Sequence, residues 1–213
     1  MANEYLPINL SLKKRKVLIV GGGNVALRKV ETLIDYEADL TVVAPKLADK
    51  IDYYGERKLL KAEKREYAVG EAAKYGLVIG ASDDEAVNRQ VHDDAVEAGI
   101  PVNIVDNPEL CDVIFPAILK RNCLTLAVGS DGRAPFLASH LKLILENIFP
   151  GHWDKLADLA AKYRDRVQEY YRNNADQKMA AYERFVAADW KTIIKEKNED
   201  ALEAELQRLL RGE

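Results

Sequence analysis

The sequence predicts an α/β protein built on a doubly wound parallel sheet, and three observations predict it. Short β-branched runs alternate with helical patterns from residue 16 to about 106, the first run ends in three consecutive glycines, and everything after Trp153 has helical spacing. Continuous apolar strands separated by helices suit a parallel sheet covered on both faces, where both sides of every strand are buried. A length of 213 residues allows one main core and a satellite.

The strand candidates are Val17–Val20 (VLIV), Leu40–Val43 (LTVV), Leu77–Ile79 (LVI) and Val102–Val105 (VNIV), with a weaker one near Lys64–Tyr67, giving about five strands. Between the first two, Val25, Val30, Leu33 and Ile34 fall near helical spacing; between the last two, Val87, Val91, Ala95 and Val96 do likewise. After Pro108 the texture changes. Residues 113–119 (VIFPAIL) and 124–129 (LTLAVG) read as further strands joined by a polar KRN turn. Turn chemistry at 130–135 then leads into a helix with Leu137, Leu141, Ile144, Leu145 and Ile148 on one face, closed by Pro150 and Gly151. From Trp153 onward three apolar stripes predict a three-helix appendage. They run through Trp153, Leu156, Ala160, Tyr163, Val167 and Tyr170, then Tyr182, Phe185, Val186, Ile193 and Ile194, then Leu202, Leu206, Leu209 and Leu210. These stripes read as packing faces and not as a cofactor box.

Composition excludes several classes. Hydrophobic residues at 48% and charged residues at 31% fit a folded globular chain and argue against disorder. A formal charge of -4 gives no general attraction to nucleic acid or to an anionic membrane. The two cysteines, Cys111 and Cys123, lack the spacing of a zinc site and read as reduced, semi-buried thiols, and no metal site is expected. His92, His140 and His152 are too widely spaced to suggest one. The N-terminal stretch lacks signal-peptide architecture, and no run reaches the roughly 20 apolar residues of a membrane helix. The expectation is a cytoplasmic protein.

The glycines carry the first functional reading. Gly21-Gly22-Gly23-Asn24-Val25-Ala26 satisfies G-x-G-x-x-G/A, with Gly21 at the tight turn, Gly23 where a pyrophosphate approaches the backbone, and Ala26 where helix and strand pack closely. The motif follows a buried strand and opens a helix whose N-terminal N–H groups favour phosphate, as a dinucleotide site requires. The acidic residue expected at the end of the second strand is replaced by Val43-Ala44-Pro45-Lys46, so these residues leave the choice between NAD and NADP open.

Ligands bind at the carboxyl ends of such strands. The polar residues there are Ser82-Asp83-Asp84 and Asp106-Asn107. Asp83 or Asp84 can cap the helix starting near Glu85. Asp106, with no helix evident after it, is either an Asp-turn residue before Asn-Pro or a general base beside a nicotinamide.

Taken together, these residues resemble the precorrin-2 dehydrogenases of siroheme biosynthesis, some of which are also sirohydrochlorin ferrochelatases. The matching pieces are Tyr5-Leu6-Pro7-Ile8, Val20-Gly21-Gly22-Gly23-Asn24-Val25-Ala26 with Arg28-Lys29, and Val42-Val43-Ala44-Pro45. They continue through Ala81-Ser82-Asp83-Asp84 with Val87-Asn88, Val102-Asn103-Ile104-Val105-Asp106, Phe115-Pro116-Ala117 and Ser130-Asp131-Gly132-Arg133-Ala134-Pro135. The last loop departs from the family's SSGG-x-SP, because Asp131 stands where a glycine is usual.

The resemblance implies a Rossmann-like NAD-binding domain over 1–112, a small α+β dimerisation and substrate-loop segment over 113–150, and a helical domain over 151–213. It implies NAD as hydride acceptor, precorrin-2 as substrate and a homodimer, with no nucleic-acid or membrane partner. Gly21, Gly22, Gly23, Asn24, Val25, Pro45, Lys46 and Ser82 then become cofactor-binding residues, and Asp106 the catalytic one. Ser130, Arg133, Arg28 and Lys29 are the candidates for holding a polycarboxylate substrate, with Lys120 and Arg121 as further cations from a dimer partner. Two other readings follow: a bifunctional dehydrogenase and ferrochelatase using the same cleft, and, from another class, a non-catalytic dinucleotide-sensing module. Metal insertion into sirohydrochlorin distinguishes the first; dinucleotide binding without turnover of precorrin-2 distinguishes the second.

Overall fold

The computed structural model describes residues 5–149, 151–196 and 198–213. Two compact units meet at Phe115 and Pro116.

The first unit is Rossmann-like. Its sheet consists of β1 (Lys16–Val20), β2 (Asp39–Val43), β3 (Lys61–Glu63), β4 (Leu77–Gly80) and β5 (Val102–Ile104), all parallel in the order β3-β2-β1-β4-β5. The last four residues of β1, like the whole of β4, are buried, as strands covered on both faces must be. Helices α1 (Asn24–Ile34), α2 (Asp49–Glu56) and α3 (Glu85–Glu97) make the crossovers. In α1 the buried residues are Ala26, Val30 and Leu33, one stripe facing the sheet. Val20 is in register with both Val43 and Gly80, so the carboxyl ends of β1, β2 and β4 finish level. The chain reverses its order of strand addition between β1 and β4, which opens a crevice at that edge.

The weak strand expected at Lys64–Tyr67 lies earlier, at Lys61–Glu63. Arg65 breaks the extended path: its N–H turns back to the Glu63 carbonyl at 3.0 Å, and its guanidinium forks onto the Glu63 and Glu71 carboxylates at 2.6–2.9 Å. Helix α2 was not expected, because only Ile51 in it is buried and so no apolar stripe marks it.

In the second unit, β6 (Ala117–Arg121) and β7 (Leu124–Val128) form a two-stranded antiparallel hairpin. The strand expected at 113–119 starts four residues late. Val113 and Phe115 pack instead against the first unit's core, and Pro116 has no N–H to give a ladder. Nor is KRN the turn: Lys120 and Arg121 belong to β6, and Asn122-Cys123 makes the reversal, with Asn122 at φ 51°. Helix α4 (Pro135–Ile148) follows. Its apolar face is present but uncovered, with Leu137, Leu141, Ile144 and Ile148 all exposed and only Ala138 buried. Pro150, expected to close it, lies outside the described residues.

Among the described residues the C-terminal region has four helices where three were expected: α5 (Trp153–Tyr170), α6 (Ala175–Ala187), α7 (Trp190–Glu196) and α8 (Glu199–Arg211). The second stripe is divided because the chain leaves helical geometry at Ala188, where Trp190 N donates to the Ala188 carbonyl and Asp189 accepts from Thr192. Val186, assigned to that stripe, is exposed, as is Tyr170 in the first. The core is Tyr163, Phe185 and Trp190, whose rings lie 4.5–5.0 Å apart in sequence, packed with Leu202, Leu206 and Leu209.

Candidate active site

The glycine turn joins β1 to α1 at the crevice. Gly21 has φ 127°, a conformation open only to glycine, and a Cβ there would stand 2.2 Å from the Ala81 carbonyl oxygen of the neighbouring β4 exit. Gly22, the variable position of the motif, is equally constrained: its Cβ would lie 2.0 Å from the Lys46 carbonyl oxygen. The loop after β2 is thereby seated on the turn, and Ala48 N donates to the Gly22 carbonyl at 2.8 Å. Gly23 differs, since an added methyl meets nothing within 4 Å. It is the N-cap of α1 and provides no side-chain cap, so its own side chain satisfies none of the first N–H groups of the helix. Tight packing behind the turn and free access in front suit the close approach of a dinucleotide pyrophosphate. Asn24 and Val25 are exposed on the first turn of α1, Pro45 and Lys46 are exposed after β2, and Ala26 is fully buried beneath.

A cleft of about 600 Å³ opens at the carboxyl ends of β4 and β5. Ser82, Asn88 and Asp106 are among its lining residues. Ser82 is fixed by a reciprocal pair, its N–H donating to Asn88 Oδ1 at 3.1 Å and its carbonyl accepting from Asn88 Nδ2 at 2.8 Å. Asp84, not Asp83, caps α3, accepting from Ala86 N and Val87 N.

Asp106 stands just past β5 at φ 61°, a left-handed conformation that aspartate tolerates better than most side chains. A short 3-10 turn, Pro108–Leu110, follows it, where no helix was evident from the residues. The whole turn closes around Cys111. Its Sγ accepts from Ile104 N at 3.2 Å and from Asn103 Nδ2 at 3.4 Å, and carbonyl oxygens of Ile104 and Asn107 lie 3.2 Å away to receive its proton. Burial pushes the Cys111 thiol up, which keeps it protonated and able to donate. Asn103 is 7% exposed, and its Oδ1 has no partner among the described residues.

Lys29 reaches this region from α1. Its Nζ lies 4.0 Å from the centroid of Phe115, and desolvation lowers its pKa against the opposing pull of Cys111 and Asp106. It is therefore a half-buried cation beside the Asp106 turn, whereas Arg28, one residue earlier, is exposed.

The remaining expected residues belong to the second unit. Ser130 Oγ accepts from Ala134 N at 3.1 Å and its carbonyl from Arg133 N at 2.9 Å, so Ser130 shapes the loop before α4. Asp131 is left-handed at φ 50°, which explains why a glycine would suit that position. Arg133 is exposed. Arg121 donates to the Phe149 carbonyl at 3.0 Å and to that of Lys120 at 2.9 Å, a structural use that occupies its guanidinium. Of the cysteines, Cys111 is semi-buried as expected, but Cys123 is exposed in the hairpin turn.

Residues 8–117, which contain both the glycine turn and the Asp106 cleft, match the family model described as "Putative NAD(P)-binding". The chain belongs to this NAD(P)-binding family. It is 44% identical over 166 residues to the siroheme synthase of Pseudomonas paraeruginosa, covering 78% of this chain and 36% of that protein. The siroheme synthase of Azotobacter vinelandii is 45% identical over 169 residues, and that of Methylococcus capsulatus 42% over 166, with similar coverage. The chain thus spans about a third of the length of the curated relatives it matches. A solved structure titled "SirC, precorrin-2 dehydrogenase" shares the fold, with a TM-score of 0.77 over 97% of this chain and 100% of that one at 21% identity. Among the described residues, no helix is long and apolar enough to cross a membrane.

Proposed function

We propose that this chain is an NAD-dependent dehydrogenase that oxidises precorrin-2 to sirohydrochlorin in siroheme biosynthesis. The observation that carries the reading is the placement of Asp106. A carboxylate held in a left-handed turn lines a cleft at the carboxyl ends of the same parallel sheet whose glycine turn fits a dinucleotide. The siroheme synthase relatives and the fold shared with a precorrin-2 dehydrogenase support this substrate.

NAD, when bound, takes a hydride from the substrate. The chain's own residues bind, orient and deprotonate. Gly21 and Gly22 hold the turn, Gly23 leaves the pyrophosphate its room, and the uncapped N-terminus of α1 supplies donors and a favourable dipole. Asn24, Val25, Pro45, Lys46 and Ser82 border the cofactor path. Asp106 accepts, or positions the group that accepts, the proton lost alongside the hydride, with the half-buried Lys29 cation beside its turn. Ser130 and Arg133 are assigned to the substrate's carboxylates. Neutralising Arg133 is expected to raise the substrate KM, and an unchanged KM removes it from the assignment.

The active species is a homodimer, formed by a second copy covering α4 and the β6–β7 hairpin. A two-stranded sheet is marginal without further strands or cover, and α4 presents Phe136, Leu137, Leu143 and Ile148 with more than half of each exposed. The three-part division at 112 and 150 goes with this arrangement, its middle segment serving dimerisation. Sedimentation tests it: a concentration-independent monomer would refute the dimer. The dehydrogenase itself is tested by anaerobic turnover of precorrin-2 with NAD.

A further inference from the structure

The lining of the Asp106 cleft is mostly acidic among its charged groups. Asp83, Glu85 and Asp106 all line it, and among the described residues that do so Arg89 is the only cation. Arg89 lies on α3 and is exposed. The carboxylates that could neutralise it do not. Glu85 lies four residues before it, at the spacing of a helical ion pair, yet no pair forms; Asp93, four residues after, is engaged by His92 at 2.8 Å. No hydrogen bond or ion pair to Arg89 occurs among the described residues. Its backbone, in contrast, is well placed, because the preceding residue, Asn88, is locked to Ser82 through both amide atoms.

An unpaired guanidinium on a fixed helical turn, in a cleft otherwise lined by carboxylates and neutral groups, is arranged to receive an anion from outside. Its fork of N–H donors matches a carboxylate in two-point geometry, which fixes orientation as well as position. The dinucleotide pyrophosphate is served elsewhere, at the N-terminus of α1. We infer that Arg89 anchors one carboxylate of the substrate at the mouth of the Asp106 cleft. This inference rests on the dehydrogenase reading for its substrate class, a polycarboxylate tetrapyrrole. The sign pattern then orients the ligand: a peripheral carboxylate is drawn to Arg89 and repelled by Asp106, which leaves the macrocycle edge, with its C–H bond, toward the base.

The test compares wild type, Arg89→Gln and Arg89→Lys by three readouts: anaerobic turnover of precorrin-2, NAD affinity by titration, and sirohydrochlorin binding by absorbance titration. Loss of a charge-assisted anchor predicts that Arg89→Gln raises the precorrin-2 KM and weakens sirohydrochlorin binding by about 10–100-fold. NAD affinity should stay within about twofold, and Arg89→Lys should recover part of the loss because it restores charge without the fork. An unchanged KM and unchanged sirohydrochlorin affinity in Arg89→Gln overturn the inference while leaving the dehydrogenase intact. A parallel loss of NAD affinity also overturns it, since Arg89 then serves the cofactor. If wild type turns over no precorrin-2 but binds sirohydrochlorin through Arg89, the anchor stands and the dehydrogenase reading fails. Neither turnover nor binding by wild type defeats both.

Discussion

Replacing single glycines of the β1–α1 turn should separate folding from cofactor binding. In Gly21→Ala the new methyl must be carried at φ 127° and placed 2.2 Å from a backbone oxygen that belongs to the adjoining strand exit. Backbone strain of this kind costs about 1–3 kcal/mol and overpacking another 1–3 kcal/mol, so the expected loss is about 2–6 kcal/mol. That is a large part of the roughly 5–15 kcal/mol that holds a domain folded. With a urea slope of about 2 kcal/mol/M, the midpoint should fall by roughly 1–3 M. Gly23→Ala is the counterpart. The residue has ordinary extended geometry and nothing within 4 Å of the added methyl, so its cost is that of an alanine N-cap, about 0.5–1 kcal/mol. Yet the methyl stands where the pyrophosphate would approach, and NAD affinity should drop at least about tenfold. Urea melts and NAD titrations of both variants decide the matter. A Gly23→Ala protein that binds NAD like wild type refutes the assignment of this turn to the dinucleotide, and a Gly21→Ala protein with an unshifted midpoint refutes the geometric argument.

Asp106→Asn preserves a side chain that tolerates the left-handed turn, so stability and NAD affinity should hold while kcat falls by about 10²–10⁴-fold; undiminished turnover would remove Asp106 from the mechanism. Asp94 is a structural counterpart: burial raises its pKa, but hydrogen bonds from Tyr67 Oη at 2.7 Å, Gly70 N at 2.6 Å and Gln90 Nε2 at 2.8 Å outweigh this and hold the carboxyl below its ordinary value. Because the folded pKa is depressed, its stabilisation is complete above the ordinary carboxylate range and is lost as pH falls below about 4, and Asp94→Ala should cost about 2–4 kcal/mol at neutral pH and flatten that acid limb in urea melts. On α4, Leu141→Glu with Ile144→Glu should convert the proposed dimer to a folded monomer, read by sedimentation with circular dichroism; a dimer unaltered by both changes would place the interface elsewhere.

Four of the five parallel strands were legible because burial on both faces forces continuous apolar runs, and α1 and α3 because part of each stripe has helical period and is buried, whereas Val25 and Val96, read into those stripes, are exposed. Legibility failed where other forces decide. The edge strand β3 is Lys61-Ala62-Glu63, with no apolar pattern, and is held by its ladder to β2. Helix α2 buries one side chain and leaves no stripe. At the candidate site, Gly21, Gly23 and Ala26 follow a motif, but the constraint on Gly22 comes from Lys46, a contact between two loops that no local spacing encodes. The same holds for Asn103 and Cys111, whose side chains close the Asp106 turn, and for Arg89, which enters the cleft only because α3 packs beside β4 and β5.

The most direct measurement is an anaerobic assay in which enzymatically generated precorrin-2 and NAD are supplied to the purified chain, and NADH and the sirohydrochlorin spectrum are followed together. The account predicts that both appear in a one-to-one ratio, at a rate proportional to enzyme. Binding of NAD with neither product appearing would contradict it and leave a dinucleotide-binding protein of another purpose.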